Sequence, residues 1–368
     1  MVQVKPKIYA LYLPQFYETE YNSTWWGDGY TDWVATRQAK RLFQGHNQPR
    51  VPLSENYYDL SVVDNIRWQA EQAKIFGIDG FAIYQYYSCG QKLLEIPAEL
   101  IRDTPDIELD FYLYWANESW RKTWFGQDEE VIWRQQYGNE DSWRAHYEYC
   151  SLFFKDKRYF KIDGAPVYAI YKALDVPRIE DMIERWNCWA REDGFTGVYF
   201  VKTLGTKESA RLGPFNGMVR REPNYTLAHD ETIEERFVRY ARTVFLSRVN
   251  KYFLMPFGTG ILMLTASYDK IWRKILARPI AGRATFLGAF VDWDSSPRKQ
   301  YNSLVMKGVT IEKFRRFFGD LYRKAVESQT PVIVINAWNE WGEGAYLEPD
   351  QNSKYGYLEA IKEIIDEN

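Results

Sequence analysis

Cysteine and histidine are scarce in this chain of 368 residues. The cysteines, Cys89, Cys150 and Cys188, are odd in number and far apart. They form neither a disulfide framework nor a metal-binding spacing; they suit a reducing compartment or simple burial, and a cytoplasmic location is expected. His46, His146 and His229 have no partner at ligand spacing and are read as non-ligands. No metal and no cofactor are therefore expected. An excess of one charge is also lacking. A formal net charge of −3 provides no basic field, which argues against nucleic acid as a partner. Long apolar runs are missing too. The stretch before Pro14 is too short for the apolar region of a signal peptide, and no small-residue cleavage site follows. The longest uncharged run, Tyr252 to Tyr268, contains Pro256, Gly258 and Gly260. It falls short of the ~20 apolar residues that a membrane span needs. It reads as a loop with a short buried piece, and no integral membrane segment is expected. Repeats, low-complexity tracts and linkers are absent, so residues 1–368 are read as one domain. Nothing in the pattern sets an oligomeric state.

Aromatic residues, by contrast, are abundant: 15 Trp, 28 Tyr and 21 Phe. Many stand beside Gly, Asn, Asp or Glu at the ends of apolar runs, not within them. Flat rings suit the C–H faces of sugars, and neighbouring amides and carboxylates suit hydroxyls. Eight β-rich runs are spaced along the chain: 7–13, 78–84, 109–115, 166–171, 196–202, 217–221, 285–291 and 331–337. Helical patterns fall between them, at 142–154, 179–191, 233–245, 268–276 and 311–325, and 357–365 follows the last. Val62, Ile66, Ala70 and Ala73 make a further apolar stripe, closed by Gly77. Strands alternating with helices predict a parallel sheet, and eight of them predict an α/β fold, a (β/α)8 TIM barrel with enlarged loops at its C-terminal face. The sixth strand is the least regular, because it contains Arg220 and Arg221. The connection after it, about residues 222–283, is long enough for extra helices.

In such a barrel, chemistry collects where strands end. The first run leads into Tyr12 and Gln15, then Trp25, Trp26, Asp28 and Asp32. The second ends in Tyr84, Gln85, Tyr86 and Tyr87. The third ends in Trp115, Asn117, Glu118 and Trp120. The seventh ends in Asp292, Trp293, Asp294 and Arg298. Plainer readings exist for several of these. Alternating Tyr84 and Tyr86 also suit core packing. Glu118 also suits a helix cap or a partner for Arg121. Asp294, before two serines and a proline, suits an Asx-turn, and Asp28 between glycines suits a plain turn.

The last run carries the strongest signal, VIVINAWNEWGEGAYLEPD at 332–350. A buried strand gives way to Trp338, Asn339, Glu340, Trp341, Gly342, Glu343 and Gly344. An exposed turn rarely sets two acids among large aromatics directly after a buried strand. Two carboxylates flanking one bond are the usual equipment for glycoside cleavage, and their repulsion and desolvation raise one pKa.

Together these segments resemble the WbsX family of polysaccharide-biosynthesis proteins, related to the family 99 glycoside hydrolases (endo-α-mannosidases). The resemblance rests on ALYLPQF, GYTDW, LFQGHNQPRVPL, GIDGFAIYQYY, YWANESW, KIDGAPVYAIYK, WDSSPR and NAWNEWGEGAYLEPD, in that order along nearly the whole chain. It implies a barrel enzyme acting on an oligosaccharide or polysaccharide. It also implies that Glu340 is the base towards the sugar's own 2-hydroxyl and Glu343 the acid, through a 1,2-anhydro sugar. Asp32 in GYTDW stands where the family pattern leads to glutamate. The mannosidases' early sugar-binding histidines have no close match, so no mannose-specific subsite is implied. The expected sugar-binding set is Tyr12, Trp25, Trp26, Asp32, Tyr84, Tyr86, Trp115, Asn117, Glu118, Trp120, Trp293, Asp294, Arg298, Asn339 and Trp341, around catalytic Glu340 and Glu343. Two alternatives stand beside this retaining glycoside hydrolase or transglycosidase. One is a sugar-nucleotide-dependent glycosyltransferase in lipopolysaccharide or capsule synthesis, for which Asp292-Trp293-Asp294 supplies a D-x-D. The other is a non-catalytic carbohydrate-binding protein.

Overall fold

The computed structural model describes residues 5–121, 131–205, 210–230, 232–254, 263–280, 282 and 284–368. Eight strands form its centre: β1 (Lys7–Tyr12), β2 (Gly80–Ser88), β3 (Asp110–Trp115), β4 (Ala165–Ile170), β5 (Tyr199–Leu204), β6 (Gly217–Arg220), β7 (Thr285–Phe290) and β8 (Val332–Asn336). Each pairs in parallel with the next, and Lys7–Ala10 of β1 pairs with Val332–Ile335 of β8. The sheet therefore closes into a (β/α)8 barrel. β8 shows why the runs are so apolar. All five of its residues are buried, because barrel strands are covered inside by side chains and outside by helices.

The helices lie where amphipathic spacing puts them. Val63–Ile75 precedes β2 and turns its buried Ile66, Ala70 and Ala73 inward. Glu140–Phe154, capped by the Asn139 side chain, precedes β4. Ile179–Glu192 precedes β5, Ile311–Glu327 precedes β8, and Gly356–Glu367 follows it. The long connection after β6 carries Asn224–His229, Ile233–Val249 and Tyr268–Ala277. A helix the periodicity did not reveal, Ile96–Asp103, precedes β3; it is short and begins with proline in its first turn. Of the uncharged run at 252–268, residues 255–262 lie outside the described residues. Among the described residues no helix is long and apolar enough to cross a membrane.

Side chains alternate between the inside of the barrel and the helix layer, and the contacts show which is which. On β2, Gln85 reaches outward to His146 on the helix Glu140–Phe154, with 3.2 Å between Oε1 and Nε2. Its neighbours Tyr84 and Tyr86 face the barrel mouth instead. On β1, Tyr12 donates outward to Gln69 at 2.7 Å, and the next residue, Leu13, faces the mouth.

Candidate active site

A cavity of about 310 Å³ opens at the C-terminal ends of the strands. Its volume sits at the small end of the ~300–1,000 Å³ usual for ligand clefts. Glu340, Glu343, Arg221 and Arg298 line it, with Trp26, Tyr84, Tyr86, Trp120 and Tyr171 as aromatic wall and Glu118 and Gln15 at polar positions.

The segment after β8 sets the two glutamates. Asn339–Glu340 pairs antiparallel with Ala345–Tyr346, and a single 3-10 turn, Trp341–Glu343, joins them. The Asn339 side chain locks this hairpin to the end of β1. Its Oδ1 accepts from the Leu13 N–H at 2.7 Å and its Nδ2 donates to the Leu13 carbonyl at 2.9 Å. Glu340 thus leaves the strand on a fixed backbone, and Glu343 sits one turn away. Gly342 is required by crowding. A Cβ there would stand 2.5 Å from Arg298 Nε and 2.9 Å from an Asp32 oxygen. Gly344 closes the turn in the left-handed region, at φ 61°, where other residues are strained.

Two guanidiniums straddle the two carboxylates. Arg298 Nη2 lies 3.2 Å from Glu340 Oε2, and its Nη1 lies 3.2 Å from Glu343 Oε1. Arg221 Nη2 lies 3.5 Å from Glu343 Oε2 and 4.0 Å from Glu340 Oε1. Asp32 braces Arg298 from behind at 2.9 Å and accepts the Gly342 N–H at 3.1 Å. Three carboxylates thus face two guanidiniums in a buried space, so one proton brings the group to neutrality. Burial, and then the charge of Glu343, push Glu340 up to about 7. Glu340 is the more buried of the pair, with a side chain 5% exposed against 19% for Glu343. Near neutral pH Glu340 therefore stands between its protonated and ionised forms, as a group in acid–base catalysis needs to.

Of the residues singled out in the sequence, Glu340, Glu343, Trp26, Tyr84, Tyr86, Glu118, Trp120 and Arg298 line the cavity. Glu118 is held by Lys172 at 2.5 Å; the side chain of Arg121 lies outside the described residues. The other substrate-contact expectations need correction, since their side chains are engaged away from the wall. Tyr12 and Trp115 point outward by strand alternation, and Trp115 donates to the Tyr87 carbonyl at 3.0 Å. Asn117 is spent on backbone: it donates to the Lys172 carbonyl at 2.9 Å and accepts the Lys172 N–H at 2.7 Å. Asn339 holds β1, and Asp32, fully buried, holds Arg298. Trp341 stacks on Tyr346 at 3.8 Å and donates to Glu348 at 2.6 Å. Trp293 is buried in the core, and Trp25, half-buried beside Trp26, lies off the wall.

Asp294 makes the Asx-type contact to the Ser296 N–H at 3.0 Å. It also accepts from Gln48 at 2.8 Å and lies 2.8 Å from His46. Burial opposes its charge, yet the His46 hydrogen bond and the Arg50 charge hold it down at about 2. Asp292 is paired with Arg50 at 2.7 Å. His146 stacks on Tyr87 behind the strands, and burial pushes it down to about 3. His229 stacks on Tyr225 and contacts the Gly205 carbonyl. Among the described residues no group of three or more His, Cys, Asp or Glu side chains could hold a metal ion.

Sequence reasoning passed over Arg221 and Tyr171. Each directly follows a barrel strand, β6 and β4, and both line the cavity. The available signal was Arg221 itself: a charged residue ending an interior strand was read as irregularity when it was a counter-charge. Leu13, Ala116 and Ile132 complete the wall without any polar signal.

Comparison with known proteins agrees with this architecture. Two curated proteins from strains of Xanthomonas campestris pv. campestris, both called uncharacterized protein WxcX, are 28% identical over 360 residues. That alignment covers 97% of this chain and 49% of theirs, so the chain spans about half the length of these relatives. The structure of the GH99 endo-alpha-mannosidase from Bacteroides thetaiotaomicron superposes with a TM-score of 0.55 at 11% identity, covering 98% of this chain and 96% of that one. A glycoside hydrolase-like protein superposes with a TM-score of 0.56 at 15% identity, covering 99% and 95%. At such identities the likeness speaks for the fold. Residues 8–361 match the family described as glycosyltransferase WbsX, and the chain therefore belongs to that family, built on a glycoside-hydrolase-like barrel.

Proposed function

We propose that this chain is a retaining glycoside hydrolase or transglycosidase acting on an oligosaccharide or polysaccharide, with Glu340 and Glu343 as its catalytic pair. The observation that carries the reading is the pair itself: two glutamates on one aromatic-walled cavity, bridged by Arg298, with Glu340 pushed up to about 7 by burial and by the charge of its neighbour. Glu340 takes the proton of the sugar's 2-hydroxyl as that oxygen attacks the anomeric carbon. Glu343 protonates the departing glycosidic oxygen. The 1,2-anhydro sugar is then opened by water, or by an acceptor hydroxyl, which Glu343 deprotonates while Glu340 returns its proton to the 2-oxygen, and two inversions give net retention. Arg298 and Arg221 hold the negative charge that moves between the two acids. These roles need Glu340 ionised when sugar is bound, whereas burial favours a proton on Glu340 in the empty cavity. The sugar must therefore move the shared proton to Glu343. A coupled pair allows this at small cost, because the proton belongs to both.

The family is described as a glycosyltransferase, and for a nucleotide-dependent transferase the support in the sequence is D-x-D. Asp292 and Asp294 are instead occupied by Arg50, Gln48 and His46. A metal–nucleotide complex would have to break those buried contacts, so transfer by the glutamate pair fits the family description better.

The test uses aryl glycosides with good and poor leaving groups. Glu343→Gln should lose activity on poor leaving groups and regain it on activated ones, which need no proton. Glu340→Gln should stay inactive on both. A covalent glycosyl ester on either glutamate, or rescue of Glu340→Gln alone, would overturn the assignment.

A further inference from the structure

The helix Ile233–Val249 presents its apolar face to solvent. Among the described residues, twelve large apolar side chains are exposed, and seven of them lie between 233 and 253. Ile233 is 86% exposed, Phe237 69% and Tyr240 68%. Their spacing puts them on one side of the helix, and Val244, half-buried, follows at the next turn. The polar side faces the barrel. There Glu235 holds Lys274 at 2.8 Å, and Arg239 donates to the Leu227 carbonyl at 3.2 Å. An ordinary surface helix does the opposite, burying its apolar stripe against the core. Phe253, just past the helix, is 64% exposed as well.

Charge narrows what covers this face. Between 232 and 254 the sequence carries Arg236, Arg239, Arg242, Arg248 and Lys251 against Glu234 and Glu235, a local excess of three positive charges. The whole chain is −3, so the rest of it is −6. A second copy meeting this face through the same helix would bring two positive segments together. An anionic lipid surface complements them, and aromatic side chains flanked by arginine suit the headgroup region. We propose that this helix docks the protein in the plane of an anionic membrane surface, with Phe237 and Tyr240 inserted. Arg239 and Leu227 line a cavity of about 330 Å³ that shares Tyr171 and Arg221 with the cavity of the two glutamates. Docking brings that side of the barrel mouth next to the lipid. The inference stands whichever reaction the glutamates perform.

The test is flotation of the full chain with vesicles of phosphatidylcholine alone or mixed with phosphatidylglycerol. The wild type should float with the mixed vesicles and not with the neutral ones. Phe237→Asp combined with Tyr240→Asp should lower the bound fraction about tenfold or more, with an unchanged melting temperature, since both side chains are exposed. Arg242→Glu combined with Arg248→Glu should lose the preference for phosphatidylglycerol. Failure of the wild type to bind, equal binding to both vesicle types, or binding unaffected by either double variant would overturn the proposal. So would a concentration-dependent dimer in light scattering that the aromatic double variant abolishes, because a second copy would then be the occupant.

Discussion

Glu340 and Glu348 lie eight residues apart on one folded segment, and burial pushes both up to about 7. Their surroundings separate them. Glu340 opens onto the cavity and meets Arg298, Arg221 and Glu343. Glu348 is sealed behind it by neutral donors: Tyr58 at 2.8 Å, Gln69 at 2.7 Å and Trp341 at 2.6 Å. A raised pKa is thus common to both regions and identifies neither as a site. What differs is access to the cavity, and the presence there of a second acid and two guanidinium counter-charges. The cavity region gathers two acids and two guanidiniums on an open wall; the sealed region holds Trp341, and through it the turn that carries Glu343.

The comparison breaks most decisively if activity does not divide along it. Glu340→Gln and Glu343→Gln should each lower kcat by about 10²-fold or more, as lost acid–base catalysis does. Glu348→Gln should stay within about tenfold of wild type, since it can still accept from neutral donors. In the wild type kcat/KM should rise with pH through about 7 as Glu340 ionises, and a pH–rate profile lacking that limb would remove Glu340 from the role of base.

Removing a counter-charge tests the cavity side by stability. Arg298→Met leaves Asp32, which is fully buried, without its cation. Chemical denaturation should show a loss of about 3–5 kcal/mol, as for a broken buried pair. A loss below about 1 kcal/mol would mean that solvent reaches the pair.

The sealed side is sharpened by pH. The folded pKa of Glu348, about 7, lies above its ordinary 4.5, so the folded state binds the proton more tightly than the unfolded chain. Its contribution is fully favourable below about 4.5 and is lost as pH rises through about 7. Melting temperatures of wild type and Glu348→Gln, compared across that window, should diverge in the variant's favour as pH rises, by up to about 2–3 kcal/mol. Measuring the difference removes the opposite trend from His146, which burial keeps neutral and which costs stability as pH falls below its ordinary 6.5.

The smallest effect belongs to the residue that sequence reading placed on the wrong face. Tyr12→Phe removes one buried hydrogen bond to Gln69. It should cost about 1 kcal/mol of stability and leave KM unchanged; a marked rise in KM would return Tyr12 to the substrate.

The barrel was legible because closure requires strands buried on both sides, and runs such as VIVIN show that without any tertiary information. The acid pair was legible too, because few structural roles place two glutamates among tryptophans straight after such a strand. Which aromatics face the cavity was legible only in part: Trp26, Tyr84, Tyr86 and Trp120 line it, whereas Tyr12 and Trp115 do not. Near a strand end, one residue of displacement turns a side chain from the mouth to the helix layer. That displacement separates Tyr12 from Leu13 and Trp115 from Ala116, and in both pairs the less conspicuous residue lines the wall.

By itself the amino-acid order determined the alternation of elements, the strand count and the position of the two acids along the chain, since these depend on local periodicity and on which residues neighbour one another. Only the tertiary structure decided the partners. Asp32 and Arg298 are 266 positions apart, and Arg221 and Glu343 are 122 apart. Such charges interact because barrel closure brings the ends of β1, β6, β7 and β8 to one rim. Electrostatic coupling depends on distance through space and on exclusion of water, and neither is written in the spacing of residues along the chain.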